Sequence, residues 1–238
     1  MQDRQYADMY NHEKKHWWFR GKRAYLSTML KLTDLHNANI LDIGCGTGFT
    51  TKFLDRFGFV TGIEQNKKAW FYAKKNKVTV INRSANSLPF HANIFDCVTI
   101  LDVLYHKQIN EKVVLSEARR VLKKNSWLLI TDCAHQSLFG EHDRVMQARI
   151  RFNKKGLEWT VKDAGFTIIR SSYIFASTFP LFVISRILLR NKKATHYVSS
   201  PHKYINAILY ACIRIESKIL AYFNLPFGSS IIILAQKK

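Results

Sequence analysis

The chain has 238 residues, of which 37 are lysine or arginine and 17 are aspartate or glutamate, so its formal net charge at pH 7 is +20. That length allows one domain with a full-sized core, and a hydrophobic fraction of 47% is ordinary for a globular protein. The charge favours anionic partners such as nucleic acid, an anionic membrane or a phosphorylated substrate, and the plain alternative is a solvated basic surface.

The four cysteines are scattered through the chain at Cys45, Cys97, Cys133 and Cys212. No two of them have the C-x-x-C spacing of a zinc or iron–sulfur site, so we expect no metal. We interpret them as small buried side chains in a reducing compartment. The polar first residues and the lack of a long apolar run predict neither a signal peptide nor a spanning helix. The sequence therefore predicts a cytoplasmic protein, and it leaves contact with the inner membrane face open.

Strands and helices are predicted to alternate along most of the chain. The predicted strands lie near 39–43, 58–63, 78–82, 95–101, 126–133, 166–175 and 229–236. The predicted helical segments lie near 3–33, 49–56, 66–75, 111–123 and 156–164. This alternation is typical of a doubly wound α/β sheet. Residues 123–126 are predicted to form a turn, and Gly165 is predicted to cap the helix before it.

A glycine-rich turn follows the first predicted strand. Gly44, Gly46 and Gly48 alternate directly after the apolar residues of 39–43. Because glycine has no Cβ, the backbone N–H groups at the start of the next helix can approach a ligand closely. The spacing is G-x-G-x-G, which differs from the G-x-G-x-x-G of dinucleotide oxidoreductases. Glu64 ends the next strand, where a carboxylate can accept both hydroxyls of a ribose.

Asp42, the three glycines and Glu64 together resemble the cofactor site of a class I S-adenosylmethionine-dependent methyltransferase. Residues 84–90 and 95–106 strengthen the resemblance, because they are similar to the family's L-P-F…F-D-x-V…L-x-x-L-x-H pattern. The similarity spans about residues 38–170 and is to the type 11 group. The run His-Trp-Trp-Phe-Arg-Gly-Lys-Arg at 16–23 also resembles an N-terminal signature of bacterial methyltransferases whose substrates are mostly unassigned.

The resemblance implies a particular fold and organisation. The fold is a doubly wound, seven-stranded, mostly parallel Rossmann-like sheet, with its last two strands antiparallel at one edge. We expect a single methyltransferase domain over 1–238. Its parts are an N-terminal helical lid (1–36), a cofactor-binding core (37–172), a helical cap insertion (173–228) and the last strand (229–238).

The resemblance also implies S-adenosyl-L-methionine as cofactor and S-adenosyl-L-homocysteine as product. The core residues expected to bind it are Asp42, Gly44, Cys45, Gly46, Gly48, Glu64, Gln65, Ser84, Ala85, Asn86 and Leu101. Many relatives hold the adenine amine with an aspartate where this chain has Ser84, so Asn86 or the backbone near Ala85 is expected to replace it. Arg20 or Arg23 is expected to pair with the methionine carboxylate, because a guanidinium binds a carboxylate bidentately.

The aromatic residues of 16–23 allow two interpretations. In the first, they form a lid that excludes water from the cofactor and contacts its sulfonium by cation–π attraction. In the second, they only pin a helix to the core while the basic residues face solvent. The sequence leaves both open.

Methyl transfer from a sulfonium is an in-line displacement, so the protein mainly orients and desolvates the reactants. A base is needed only when the acceptor must lose a proton. Candidate catalytic residues follow the carboxyl ends of strands, and they are Tyr105, His106, His135 and His142. His106 is as well explained by a structural or cofactor-orienting role, and His142 could act with Asp143. Residues 101–104 lack the [ND]-P-P-[YF] tetrad, which argues against methylation of DNA bases.

The segment after Asp163 is basic and apolar, with Glu216 as its only acidic residue. Residues 203–222 show helical periodicity, and one stripe of this helix consists of Ile208, Cys212, Ile215 and Ile219. Cap helices that bury this stripe on the sheet are the first interpretation. An interfacial anchor on an anionic membrane is the second. An RNA-binding face is the third, and the scarcity of stacking aromatics makes it less favoured.

The sequence therefore predicts an enzyme that methylates an oxygen, nitrogen or carbon of a small, amphiphilic or lipid-linked metabolite. The alternatives are an RNA methyltransferase and a non-catalytic, cofactor-binding scaffold with a basic surface. The sequence leaves the oligomeric state open.

Overall fold

The computed structural model describes residues 3–188 and 201–238. The strands within these residues are β1 (Ala38–Ile43), β2 (Gly58–Ile63), β3 (Thr79–Ile81), β4 (Phe95–Leu101), β5 (Leu122–Cys133), β6 (Phe166–Ile174) and β7 (Ser230–Lys237). They form one sheet in the order β3-β2-β1-β4-β5-β7-β6. Strands β1 to β5 pair in parallel, and β7 runs antiparallel between β5 and β6. The predicted doubly wound sheet with an antiparallel edge pair is confirmed.

Helices cover the sheet and connect its strands. They are α1 (Asp3–His12), α2 (Trp17–Leu30), α3 (Phe49–Leu54), α4 (Lys67–Lys75), α5 (Glu111–Val121), α6 (Glu141–Val145), α7 (Lys154–Asp163), α8 (Phe179–Leu188) and α9 (Lys203–Ile219). Asn66, Asn110 and Asn153 begin three of them, because each side chain accepts a backbone N–H left unpaired at the helix start. The cap predicted at Gly165 is present, with φ +84°.

Two apolar clusters lie on opposite faces of the sheet. Neighbouring strand residues such as Ile40 and Leu41 belong to different clusters, as the alternation of a strand requires. Helices α2 and α9 pack on the face of Ile40. Helices α5 and α7 pack on the face of Leu41. The carboxyl ends of the parallel strands are therefore left between two helical layers.

The turn predicted at 123–126 lies inside β5 instead of before it. Leu122 pairs with Phe95, and the next pair in register joins Trp127 to Cys97. The residues between therefore form a bulge, and Asn125 adopts φ +61° in it. The chain bends where the sequence predicted, but pairing on both sides keeps the bend within the strand.

The N-terminal helices and the segment before β7 are in contact. The Tyr25 hydroxyl on α2 donates to Glu216 on α9 over 2.5 Å. Asn206, also on α9, accepts from the Trp17 backbone N–H at 2.8 Å and donates to the Lys15 carbonyl at 3.0 Å. The predicted lid and the predicted insertion thus share one helical layer.

Part of the predicted insertion, with Arg190, Lys192 and Lys193, lies outside the described residues. Among the helices that the structure describes, none has the length and apolar character to cross a membrane.

The apolar stripe predicted on α9 faces outward. Ile208, Ile215 and Ile219 are 63%, 62% and 44% exposed, and the packed face of the helix carries Ile213 and Glu216 instead. Buried hydrogen bonds fix this orientation, because Glu216 accepts from the backbone N–H groups of residues 176 and 177 as well as from α2. The interpretation in which this stripe is buried on the sheet is therefore wrong.

Candidate functional site

A cavity of about 450 Å³ opens at the carboxyl ends of β1, β2 and β4. Eight of the residues expected to bind the cofactor line it, namely Asp42, Gly44, Cys45, Gly46, Glu64, Gln65, Ala85 and Leu101. Tyr105 and His106, two of the catalytic candidates, line it as well. We call it the first cavity. Parallel strands bring these positions together because their carboxyl ends meet at one edge of the sheet.

The glycine turn forms one wall of the first cavity. Gly46 has φ +57°, which glycine adopts without strain, and its N–H donates to Glu64 Oε2 at 2.9 Å. A Cβ at Gly46 would lie 3.3 Å from the Met9 methyl group on α1. Gly48 does not line the cavity. A Cβ there would lie 3.0 Å from Ala73, so this glycine allows α3 to pack closely on α4.

Asp42 is held rigidly at the end of β1. The Thr99 hydroxyl donates to its Oδ1 and the Thr51 hydroxyl to its Oδ2, each at 2.6 Å. Burial raises the pKa of this carboxyl to about 6, although both hydrogen bonds oppose the rise. The carboxyl group is therefore a fixed acceptor at the base of the cavity.

Glu64 is fixed by backbone groups. Its Oε1 accepts from the Asn66 N–H at 2.8 Å, and its Oε2 accepts from Gly46. Burial raises the pKa of Glu64, and these hydrogen bonds oppose the rise. Each carboxylate oxygen has capacity for a second hydrogen bond, so the group can still accept the two hydroxyls of a ribose.

The adenine contacts expected from Ser84 and Asn86 are not brought to the first cavity. The Asn86 side chain donates to the Gln108 carbonyl at 3.0 Å and accepts from the Asn110 N–H at 3.2 Å. The Ser84 hydroxyl accepts from the Asn86 N–H. Ala85, Arg83 and the loop at 107–109 line this part of the cavity instead. The loop carries no periodic or glycine signal, so its role could not be foreseen from the sequence.

The N-terminal helices close the first cavity. Tyr6 and Met9 of α1, together with Trp18, Phe19 and Lys22 of α2, line it. This arrangement supports the lid interpretation of the N-terminal segment. Tyr6 and Met9 lie before the aromatic cluster of the sequence, and no motif marked them.

Lys22 is the cation of the N-terminal cluster that lines the first cavity. Arg23 donates from Nη2 to the Glu13 carbonyl at 3.0 Å and lies over the Phe49 ring. Burial lowers the pKa of Arg23 to about 10. Arg20 lies 3.6 Å over the Tyr210 ring. The structure therefore does not bring either arginine to the cavity.

Glu13 connects the end of α1 to the glycine turn. Its carboxyl group accepts from the Thr47 hydroxyl at 2.5 Å and from Asn76 Nδ2 at 3.2 Å. Burial raises the pKa of Glu13 to about 7, and the hydrogen bonds and Arg23 oppose the rise. This contact holds α1 over the first cavity.

A second cavity of about 450 Å³ adjoins the first. Both cavities are lined by Trp18, Asp102 and Tyr105. Asp102 forms a salt bridge with Lys22 and accepts from the Thr131 hydroxyl at 3.1 Å. The Lys22 ammonium lies 3.9 Å over the Trp18 ring. These residues form the junction between the cavities.

The walls of the second cavity combine apolar and ionic groups. Its apolar residues include Met146, Leu181, Phe182 and Leu209. Its ionisable residues include Asp143, Arg151, Arg186 and His142. Helices α8 and α9 supply part of this wall, so the predicted insertion does cover a cavity.

Asp143 binds two arginines. Its Oδ1 accepts from Arg151 Nη2 at 2.7 Å, and its Oδ2 accepts from Arg186 Nη1 at 3.1 Å and from the Gly140 N–H at 2.9 Å. Asp143 and the two arginines together carry one net positive charge. Arg186 lies on α8, so this ionic contact also ties α8 to α6.

The four catalytic candidates have different places. Tyr105 lines both cavities, His106 the first and His142 the second. Burial lowers the pKa of both histidines to about 4, so they are neutral at pH 7. His135 lines neither cavity, because its Nε2 lies 3.0 Å from the Gly228 carbonyl and its ring stacks on Tyr173.

The fold and the first cavity define the Rossmann-like architecture, in which a ligand binds at the carboxyl ends of parallel strands. Residues 41–130 match the model of a family described as a methyltransferase domain. These residues form a methyltransferase domain, and the chain has the fold of the class I S-adenosylmethionine-dependent methyltransferases, which makes S-adenosyl-L-methionine the expected cofactor. Membership of the bacterial subgroup suggested by residues 16–23 stays a prediction.

Three known proteins illustrate this similarity. An uncharacterized methyltransferase from Schizosaccharomyces pombe is 30% identical over 155 residues, or 56% of this chain and 54% of the relative. A ubiquinone biosynthesis O-methyltransferase from Pelagibacter ubique is 33% identical over 103 residues, or 40% of this chain and 42% of the relative. The chain thus spans about half the length of these two relatives. The structure of phosphoethanolamine N-methyltransferase 2 from Haemonchus contortus with S-adenosyl-L-methionine matches with TM-score 0.60 at 21% identity, over 90% of this chain and 52% of the other.

Proposed function

We propose that the chain methylates an oxygen, nitrogen or carbon of a small amphiphilic molecule that binds in the second cavity. The observation that carries the proposal is the junction, where Trp18, Asp102 and Tyr105 line both cavities. A donor in the first cavity and an acceptor in the second would meet there. Two adjoining sites hold both reactants in one orientation, which is the main requirement of a displacement.

The residues of the first cavity fit the cofactor. Gly46 leaves room for close approach, and Glu64 keeps acceptor positions for the ribose hydroxyls. Asp42 adds a fixed polar acceptor. When bound, the cofactor supplies a methyl group on a positively charged sulfur. We assign Lys22 to the methionine carboxylate in place of Arg20 or Arg23, because Lys22 lines the cavity.

His142 is the proposed proton acceptor for the acceptor molecule, and Tyr105 is proposed to orient that molecule by a hydrogen bond. Tyr105 lies at the junction, and His142 lines the second cavity in its neutral form. With a pKa of about 4, His142 is a weak base. It can accept a hydrogen bond from an acceptor hydroxyl or amine and take the proton as the new bond forms. His106 stays a candidate on the cofactor side.

The amphiphilic character of the acceptor follows from the second cavity. Leu181, Phe182 and Leu209 offer apolar surface, while Arg186 belongs to an ionic group with a surplus positive charge. Such walls favour a molecule with an apolar body and a polar or anionic end. The names of the relatives include O- and N-methylation, so the acceptor atom is left open.

In this proposal α1 and α2 form the lid, and α8 and α9 cap the acceptor. The free cysteines within the described residues suit a reducing compartment, so we infer a cytoplasmic location, with the membrane contact that is argued below.

The experiment is transfer of a radiolabelled methyl group from S-adenosyl-L-methionine to three pools, namely lipid extract, aqueous metabolites and purified RNA. We expect label in the lipid or metabolite pool with the wild-type chain and none with Glu64→Ala. Label found only in the RNA pool would show that the chain is an RNA methyltransferase instead. Cofactor binding by calorimetry without transfer to any pool would favour the non-catalytic scaffold.

A further inference from the structure

Helix α9 carries an exposed apolar stripe that no part of the described chain covers. Tyr204, Ile208, Ile215, Ile219 and Tyr222 follow one another at intervals that place them on one side of the helix and its continuation. Their exposed fractions range from 44% to 78%. Contiguous exposed apolar surface on a folded protein marks an interaction site.

The stripe cannot turn inward at low cost. Glu216 lies on the packed face of α9, where it is buried and accepts three hydrogen bonds. Rotation of the helix would leave this carboxylate without its partners, which is costly for a buried charge. The outward orientation is therefore a property of the fold.

Helix α8 also carries exposed apolar residues, and both helices line the second cavity. Leu181, Ile184 and Ile187 are exposed, while Phe182 and Arg186 of the same helix line the cavity. We call the exposed apolar side chains of α8 and α9 the outer face.

The exposed charged residues of α9 are all positive. Lys203, Arg214 and Lys218 are exposed on α9. From residue 164 to the end, Glu216 is the only acidic residue of the sequence, and it is buried. Two copies meeting through this face would bring like charges together. Nucleic acid would meet the cations but would leave the isoleucines without an apolar partner.

We propose that the outer face docks on the surface of an anionic membrane. The isoleucines enter the boundary of the acyl region, and the cations meet the headgroups. Leu181 is exposed on the outer face and also lines the second cavity. An amphiphilic acceptor would therefore pass from the membrane to its site by a short route. This last step rests on the proposed function, but docking does not.

The test is flotation of the purified chain with phosphatidylcholine vesicles, with and without about one third phosphatidylglycerol, at about 0.1 M and about 0.5 M salt. We expect binding to the anionic vesicles that falls at high salt. The double substitution Ile208→Ser and Ile215→Ser should lower the binding by roughly tenfold or more, because two apolar side chains leave the interface.

Val113→Ser is the matched control. Val113 is 39% exposed on α5. Helix α5 packs on the face of the sheet opposite to the one that α9 covers. This variant should bind vesicles as the wild type does. Circular dichroism of all variants establishes that they are folded.

Absence of binding to anionic vesicles by the wild type would overturn the proposal, as would equal binding by the double variant. If the wild type bound no vesicles but sedimented as a dimer, and the double variant sedimented as a monomer, the partner of the outer face would be a second copy of the chain. The Glu64→Ala variant separates docking from catalysis, since it should bind vesicles normally while it loses methyl transfer.

Discussion

The walls of the two cavities are formed by different kinds of structural element. The first is formed by strand ends and a turn, and backbone groups fix its key side chain, as when the Gly46 and Asn66 N–H groups hold Glu64. The second is formed largely by side chains of helices that lie outside the family match at 41–130. Under the proposed function, the cofactor would bind in a site that the backbone defines, and the acceptor would bind against a wall that substitutions of side chains can change.

The largest effect is expected when the carboxylate that the backbone fixes in the first cavity is removed. Glu64→Ala should weaken binding of S-adenosyl-L-homocysteine by about a hundredfold or more, since two hydrogen bonds to a charged group are lost. Isothermal titration measures the change. Glu158→Ala on α7 is the control and should bind normally, and unchanged affinity in Glu64→Ala would remove this residue from the site.

The next largest effect is expected at the lid. Lys22→Met should weaken binding of S-adenosyl-L-homocysteine by about tenfold, the value of one charged hydrogen bond. Arg23→Met should leave the affinity nearly unchanged and lower the melting temperature instead, because Arg23 is buried against Phe49 and the Glu13 carbonyl. If Arg23→Met weakened binding more than Lys22→Met, Arg23 and not Lys22 would be the partner of the methionine carboxylate.

A change in the second cavity should spare the cofactor. Arg186→Gln should raise the KM for an anionic acceptor by roughly tenfold, with no change in cofactor affinity. Arg144→Gln on α6, an exposed arginine paired with Glu141, is the control. A weaker cofactor affinity in Arg186→Gln would mean that the two cavities are not separate sites.

The smallest effect concerns pH and the Glu13 contact. The folded protein holds a proton on Glu13 up to a pKa of about 7, above the ordinary value of 4.5, so it binds more protons than the unfolded chain between these values. Stability should therefore fall as pH rises from about 4.5 to 7, by at most roughly 3 kcal/mol, and change little beyond. Glu13→Gln should remove this part of the fall in urea unfolding. An identical pH dependence in both proteins would contradict the assignment.

The sequence predicted the sheet and most of the first cavity because both depend on local patterns. Apolar runs and glycine spacing identify β1 and the turn after it, and a strand end identifies Glu64. The sequence did not predict which cation of 16–23 enters the cavity. Lys22, Arg20 and Arg23 are close in sequence, and each is directed by a partner that is distant in the chain. These partners are Asp102 for Lys22, Tyr210 for Arg20 and Phe49 for Arg23.

The second cavity could not be predicted for a related reason. Its walls come from α2, α6, α8 and α9, which are distant in sequence and carry no shared motif. The sequence correctly predicted that α9 is a helix. It did not show which side of the helix packs on the protein, because the apolar stripe faces solvent. A single buried residue, Glu216, and its three hydrogen bonds turn the apolar stripe to the outside.

In the proposed function, donor and acceptor meet at Trp18, Asp102 and Tyr105. The most direct measurement is a crystal structure of the chain with S-adenosyl-L-homocysteine. We expect the ligand in the first cavity, with its ribose on Glu64 and its sulfur at the junction with the second cavity. A ligand whose sulfur lies away from this junction would contradict the proposed function.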